Sequence, residues 1–427
     1  MTARREAQRD VQRDALAQLW DEFDLDALLS ERTQRLIAGS PTDWGMAWSI
    51  EPPIPPITLG GGIPDPDHLP RRELGEAMQR TLAVEDDGPL RYGGAFGYER
   101  LRELLAERQS AESGIELSPD QFMLANGAAG TIASIADALL DPGDVVLTEA
   151  PAFSGSIRTF RGHDAEVWSI PMDREGIDAA ALDETLRRAE RERRRVKLLY
   201  TSPNFQNPTG VAMSERRRVE VMELAARHRV LVLEDDAYGD IAFEGARLPS
   251  LAAITGGLGV LSVGTFSKTI ATGLRVGWVR AEPQLVERIS RMRFDMGSSP
   301  LLHYMLAEFM ESGDFDAHVA RVRDLYARKA RALGRALVDL AEPYLSFTAP
   351  GGGFFLWARL RDGLTADALQ RAAIEEGVIF PIGYAFFPDR VETDGEHIRL
   401  AYSWTPESEL VEAAARIARA CERAAAS

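Results

Sequence analysis

The sequence predicts an α/β protein with a mostly parallel central sheet in a large domain and a smaller α+β domain after it. Three observations carry that expectation. Short apolar runs alternate with helix-period segments between residues 122 and 263, as strands joined by crossover helices do. Past Pro300 the mixture changes, and long helical patterns precede a few short strands. The chain has 427 residues, 45% of them hydrophobic, enough for a large core and two domains.

Taken in order, residues 1 to about 38 place Leu16, Leu19, Trp20, Phe23 and Leu28 at helical spacing among charges. Pro41 and then Pro52-Pro53-Ile54-Pro55-Pro56 break the pattern into an extended segment, either a surface arm or a subunit contact. Ile57-Thr58-Leu59-Gly60-Gly61-Gly62-Ile63-Pro64 follows. Its three glycines let the backbone approach something closely, packing or ligand. No helix is expected to open there, so they are no dinucleotide fingerprint. Leu90 to Gly94 reads as a turn and Glu99 to Gln109 as an amphipathic helix. The alternation then predicts strands at 122–125, 145–148, 165–170, 196–201, 230–234 and 259–263. Helices are expected at 131–140, 179–193 and 214–228. Beyond Pro300 come a long helix at 316–340, strands at 345–347 and 353–357, a helix at 366–376, a strand at 397–402 and a closing helix at 407–425. No unit of 20–50 residues repeats. The expected divisions are an N-terminal helix and extended arm (1–56), the N-terminal part of the small domain (57–87), the large domain (88–325) and the C-terminal small domain (326–427).

Composition excludes several classes of function. Net charge is −17, from 66 acidic and 49 basic residues, which disfavours nucleic acid and anionic membrane as partners. The basic run Arg187-Arg188 and Arg191 to Lys197 is interleaved with Glu190 and Glu192 on a predicted helix, so it reads as a solvated face. The N-terminus is charged rather than signal-like, and no run reaches membrane-spanning length. Cys421 is the single cysteine, which rules out an intrachain disulfide framework and suits a reducing cytoplasm. Six histidines with no His-x-x-x-His pair argue against zinc, and no metal is expected.

Several turns fall where strands end, the place where open α/β sheets bind ligands. Gly264-Thr265-Phe266-Ser267-Lys268 follows an apolar strand, and Gly273-Leu274-Arg275-Val276-Gly277-Trp278 follows that. Asn126-Gly127-Ala128-Ala129-Gly130 links a strand to a helix, whose first N–H groups suit an anion. Arg275 and the hydroxyls of Thr265 and Ser267 are further donors for the same anion. Asn207 sits in a proline-bracketed loop, Pro203 to Gly210, and Glu234-Asp235-Asp236-Ala237-Tyr238 ends another strand with carboxylates in a hydrogen-bonding role. With the flat ring of Phe153, this set offers an amine, an anion cradle, a carboxylate, an amide and a phenol. A phosphorylated, cationic, aromatic aldehyde would use every one of them.

Ser267-Lys268 with Gly273 to Gly277, Asn207-Pro208-Thr209-Gly210 and Asp235-x-Ala237-Tyr238, in that family's order, resemble the pyridoxal-phosphate enzymes of fold type I. The similarity is to class I/II aminotransferases, in the subgroup of 2-aminoadipate and kynurenine aminotransferases and MocR-type regulators, from about Ile57 to Pro406. The resemblance implies that the cofactor is pyridoxal 5′-phosphate and that Lys268 forms the Schiff base and moves the proton. It implies that Asp235 pairs with the pyridine nitrogen, that Asn207 and Tyr238 bond the ring oxygen, and that Phe153 stacks on the ring. The phosphate would be held by Arg275, Ser267, Thr265 and the amides of Ala128 and Ala129. Tyr92 matches a tyrosine that reaches the neighbouring subunit's phosphate, which implies a homodimer with shared active sites. Arg399 matches the fork that clamps the substrate α-carboxylate, and Gly62 a backbone contact to it.

Two positions depart from that subgroup. Its cradle usually reads Gly-Ser-Gln-Gln, and its stacking residue is often tyrosine; here they are Gly127-Ala128-Ala129-Gly130 and Phe153. The resulting expectation is ping-pong transfer of an amino group from an L-amino acid to a 2-oxo acid in the cytoplasm. Elimination or replacement at the β or γ carbon, decarboxylation and oxidative deamination need the same Lys268 and Asp235 and stay open. A MocR-like regulator is the distant alternative, because the residues before Ile57 are too few and too acidic for a winged helix. A Ser267-Lys268 hydrolase is disfavoured, since adjacent side chains seldom form a dyad.

Overall fold

The computed structural model describes residues 2–21, 24, 26–38, 52–243, 247–361, 363–388 and 395–426; Phe23 and Pro41 lie outside them. Contacts divide the chain into two compact units, Met1–Thr42 and Asp43–Ser427. In the first, helices Thr2–Asp21 and Glu31–Ala38 flank a single 3-10 turn, Asp26–Leu28, so the expected helix is broken there. Leu16, Leu19 and Trp20 are exposed.

In the second unit the strands, in chain order, are β1 (Ile57–Thr58), β2 (Phe122–Ala125), β3 (Val145–Ala150), β4 (Glu166–Asp173), β5 (Gly176–Ile177), β6 (Val196–Thr201) and β7 (Leu231–Asp235). They continue with β8 (Val260–Thr265), β9 (Gly277–Arg280), β10 (Leu345–Phe347), β11 (Phe355–Leu360), β12 (Val378–Ile379) and β13 (His397–Ala401). Eight of them form one sheet in the order β2-β9-β8-β7-β6-β3-β4-β5. Strands β8, β7, β6, β3 and β4 run parallel, β9 lies antiparallel between β8 and β2, and β5 is an antiparallel edge.

Both faces of this sheet are covered, as a parallel sheet requires. On one face Val146, Leu198, Leu233, Leu261 and Val263 pack with Ile132, Ile135, Ile157 and Phe160 from helices Gly127–Leu139 and Ser154–Gly162. On the other, Val145, Leu147, Leu199, Val232 and Val260 pack with helices Ala179–Arg191 and Glu215–His228. The alternation assigns the two sets strictly by strand parity. The basic run lies on the second face as a paired surface: Arg187 meets Asp183, Arg191 meets Glu184 and Arg194 meets Glu166.

Strands β10, β11 and β13 form a separate antiparallel sheet under helices Asp314–Ala341 and Glu407–Ala426. Strand β1 pairs in parallel with β12, so residues at 57 and 378 meet across most of the chain. Helices Arg71–Ala83, Ser154–Gly162 and Pro283–Ser290 and strands β5 and β12 were not expected, while helix Gly127–Leu139 begins four residues earlier than its periodicity indicates. Its first turn, Gly127 to Gly130, is too short of large apolar residues to show a period.

The stretch after β1 is tied down by polar groups. Lys329 Nζ donates to Asp65 Oδ2 and, at 2.8 Å, to the Ser403 carbonyl, while Ser403 Oγ donates to the Ile63 carbonyl at 2.7 Å. Burial acts to raise the Asp65 pKa, but its bonds with Lys329 and His68 outweigh that and hold the carboxyl below its usual range. Removing one partner strands the other charge. Lys329→Met should therefore cost about 3–5 kcal/mol in urea unfolding at neutral pH, and adding Asp65→Asn to it should recover much of the loss.

Candidate active site

The site begins at the end of β8. Gly264 lies opposite Trp278 on β9, and a Cβ there would come 2.2 Å from the indole, so only glycine lets the two strands pair. The chain then turns, with Ile270 N–H donating to Phe266 O at 2.9 Å. Phe266 and Ile270 are buried in an apolar cluster with Phe309 and Phe315. Their burial leaves Lys268 on the opposite side of the turn. His318 fixes the same turn from helix Asp314–Ala341 through a 2.9 Å contact to Thr269 O.

Lys268 Nζ donates to the Gly62 carbonyl at 2.7 Å, with the Tyr238 ring centroid 5.8 Å away. Desolvation draws its pKa down to about 8, assisted by Arg399 and Arg275 and opposed by Asp235. The three consecutive acids at the end of β7 part company by parity. Glu234 faces away and accepts from Leu251 N–H at 2.7 Å, and Asp236 accepts from Arg247 and, at 2.7 Å, from Asn204. Asp235 faces the site side. Tyr200 O–H donates to its Oδ2 at 2.7 Å, and buried Oδ1 has no hydrogen-bond partner. Burial pushes the Asp235 carboxyl up to about 6 against the Tyr200 bond.

The residues expected to form an anion cradle gather where β2 and β8 end and β9 begins. The side chain of Asn126 does not cap helix Gly127–Leu139, so its first N–H groups are left for another acceptor. A Cβ on Gly127 would lie 2.8 Å from Arg275 Nη2, and one on Gly277 would lie 2.8 Å from Ala128 N. Arg275 therefore stands directly against the helix start, its Nη2 3.3 Å from Asn126 O. Thr265 and Ser267 share a hydrogen bond at 3.0 Å beside it. Phe153 precedes helix Ser154–Gly162, where a Cβ on Gly155 would strike its ring at 2.6 Å.

From the other sheet, β13 brings Arg399. Its Nη1 donates to Asn207 Oδ1 at 2.9 Å, Nη2 donates to the Gly60 carbonyl, and buried Nε has no partner. The guanidinium lies 4.4 Å from the Phe355 centroid and 4.8 Å from that of Phe386. Burial pulls its pKa down to about 10. Gly62 has no room for a side chain, since a Cβ would meet Phe355 Cζ at 2.4 Å. Contacts thus join Lys268, Gly62, Tyr238, Asn207 and Arg399, and the cradle group lies along the same strand ends. Tyr92 stands apart, 80% exposed. Tyr200, His318, Phe355 and Phe386 were not singled out in the sequence; a tyrosine next to last in β6 was the one visible signal.

Comparison with known proteins gives one family. Residues 55–417 match the family described as aminotransferase class I and II. Aromatic-amino-acid aminotransferase 1 of Thermococcus litoralis is 31% identical over 364 residues, 85% of this chain and 87% of that one. The solved α-aminoadipate aminotransferase LysN of Thermus thermophilus, complexed with N-(5′-phosphopyridoxyl)-L-leucine, is 30% identical, with a TM-score of 0.84 over 95% of this chain and 100% of its own. An uncharacterised HTH-type transcriptional regulator of Bacillus subtilis is 31% identical over 86% of this chain and 75% of its own length.

The amine at the centre of the site makes a linkage prediction for the ligand-free protein. Lys268 titrates near 8 when folded and at its ordinary 10.5 when unfolded, so between those values the unfolded chain binds the extra proton. Stability from this group therefore rises with pH across that window. Urea unfolding should show wild type gaining on Lys268→Met from about pH 8 to 10.5 and holding a constant difference below it.

Proposed function

The chain belongs to the class I and II aminotransferases, and from that premise we propose a substrate class and a role for each site residue. The protein is a transferase that moves an amino group with pyridoxal 5′-phosphate as cofactor. The residues present fit that group. Asp235 Oδ1 is a buried acceptor with no partner, as a protonated ring nitrogen requires. The uncapped start of helix Gly127–Leu139, backed by Arg275, provides donors for a phosphate without the side chains that Ala128 and Ala129 lack. Bound, the cofactor supplies an electron sink for the carbanion left when the substrate Cα loses its proton.

In our reading Lys268 would be the covalent anchor, and once freed its neutral amine would take the proton from the substrate Cα. A pKa near 8 supports both tasks, because an appreciable fraction is deprotonated at neutral pH. Asp235, oriented by Tyr200, holds the ring nitrogen proton; Asn207 and Tyr238 bond the ring oxygen; Phe153 covers one ring face. Arg275, Ser267, Thr265 and the Ala128 and Ala129 amides hold the phosphate. Arg399 takes the α-carboxylate of an L-amino acid or a 2-oxo acid, with Gly62 contributing a backbone contact. The single observation that carries the substrate class is this guanidinium, buried between two aromatic rings with one N–H unpaired.

The aminotransferase names of the two enzymes above favour transfer over elimination, decarboxylation or oxidative deamination. Family likeness further supports a homodimer in which exposed Tyr92 reaches the partner's phosphate and a large domain at 88–325 flanked by small-domain segments 57–87 and 326–427, while the single cysteine suits a cytoplasmic location.

Incubating the holoenzyme with a panel of L-amino acids, including aromatic residues and 2-aminoadipate, should give new oxo acids only when 2-oxoglutarate is present, read by mass spectrometry. Oxo-acid formation without an acceptor would point to oxidative or eliminating chemistry instead. Borohydride should fix the cofactor to Lys268 in wild type and leave Lys268→Ala unlabelled. Arg399→Ala should raise KM for both substrates by about 10²-fold, the effect of losing a charged bidentate partner.

A further inference from the structure

We propose that Glu149 is a positioning residue for this site: it locks the loop that carries Asn207 to the loop that carries Phe153, and through both it sets the seat of Arg399. The inference rests on the substrate-clamp reading of Arg399 above.

Glu149 lies next to last in β3 and is 1% exposed. Its Oε1 accepts from Ser202 N–H at 2.9 Å and its Oε2 from Thr201 O–H at 2.7 Å. Both oxygens thus engage the point where β6 ends and the Asn207 loop begins. A carboxylate in a sheet interior carries a desolvation cost of several kcal/mol, and burial pushes this one up to about 7. The hydrogen bonds that offset this cost all come from one loop. That same loop donates to this segment a second time: fully buried Gln206 donates Nε2–H to Pro151 O at 2.7 Å, while its Oε1 accepts from Thr209 N–H and O–H at 2.9 and 2.7 Å. The segments 149–151 and 201–209 are therefore cross-linked at two places.

Two routes lead from this lock to Arg399. Asn207, adjacent to Gln206, accepts from Arg399 Nη1 at 2.9 Å. Ala152, adjacent to Pro151, donates N–H to Phe386 O at 2.8 Å, and the Phe386 ring lies 4.8 Å from the guanidinium. Lys268 is held by other contacts, to Gly62 and through the turn fixed by His318. The lock thus governs carboxylate binding and leaves the covalent anchor alone.

The test measures the Kd of 2-oxoglutarate for cofactor-loaded wild type, Glu149→Ala, Glu149→Gln, Arg399→Ala and the Glu149→Ala/Arg399→Ala pair, with borohydride trapping at Lys268 as a parallel readout. Glu149→Ala should weaken binding about tenfold with trapping unchanged, and it should add less than about twofold on the Arg399→Ala background. Glu149→Gln keeps an acceptor for Ser202 and a donor for Thr201 Oγ1, so it should stay within about threefold of wild type. A purely structural role would lower the melting temperature while leaving Kd in the folded variant at the wild-type value, and that result overturns the proposal. Full additivity with Arg399→Ala does so as well. If Glu149→Ala does not fold, Glu149→Asp takes its place: it keeps the charge but is one methylene short, and it must bind more weakly than Glu149→Gln. Failure of wild type to bind 2-oxoglutarate would instead overturn the clamp reading, and this inference with it; normal wild-type binding with an unchanged Glu149→Ala would sink this inference alone.

Discussion

Two backbone carbonyls in a three-glycine strip hold Lys268 and Arg399. Gly60 O accepts from Arg399 and Gly62 O from Lys268, so two residues of backbone separate the bonds to an amine and a guanidinium from different sheets. The placement of Lys268 relative to Arg399 depends on that strip lying where it does. Phe355 leaves no volume for a side chain on Gly62. Strand β1 anchors one end by pairing with β12, and the buried Asp65–Lys329 pair anchors the other. Leu59 O, just before the strip, accepts from Ala401 N–H at 2.8 Å, two residues beyond Arg399. The polar clasp and the strand pair thus set the position of Arg399 relative to Lys268.

Burial then tunes the charges. Desolvation is the largest influence on Lys268, Asp235 and Arg399, and in each case it moves the group toward its neutral form. The consequences differ with the task. A lysine near 8 is a usable base, whereas an arginine near 10 remains charged at neutral pH and keeps its attraction for a carboxylate. Asp235 near 6 stays ionised, and a cationic ring beside it would hold it so. Parity along β7 makes this arrangement possible, because Glu234 and Asp236 turn to the opposite face, where Leu251 and Arg247 take up their charge.

Much of the sheet was legible in the sequence. Strands 122–125, 196–201 and 345–347 coincide with the observed elements, because short runs with apolar residues, bounded by turn residues, have few other readings. The cradle, the lysine turn and the proline-bracketed loop were visible as small-residue and glycine patterns. Helices Arg71–Ala83 and Ser154–Gly162 were not. The first has only two buried residues and the second is nine residues long, so neither carries a strong apolar period. Glu149 and Tyr200 left faint traces, a charge and a phenol in mainly apolar strands. Which partners they meet depends on the neighbouring strand, and local pattern is silent there.

By itself the sequence determined the layered class, the order of the elements and the residue types available at strand ends. It also determined, through Gly127, Gly264 and Gly277, where the backbone could come close to another group. Only the tertiary structure decided which of those groups meet. Gly62 and Lys268 are 206 positions apart, Asn207 and Arg399 are 192, and Gly60 and Arg399 are 339. Local periodicity reports what a few neighbouring residues bury. Contacts over such separations arise from strand order, the β1–β12 pairing and the Asp65–Lys329 clasp, which are properties of the folded chain as a whole.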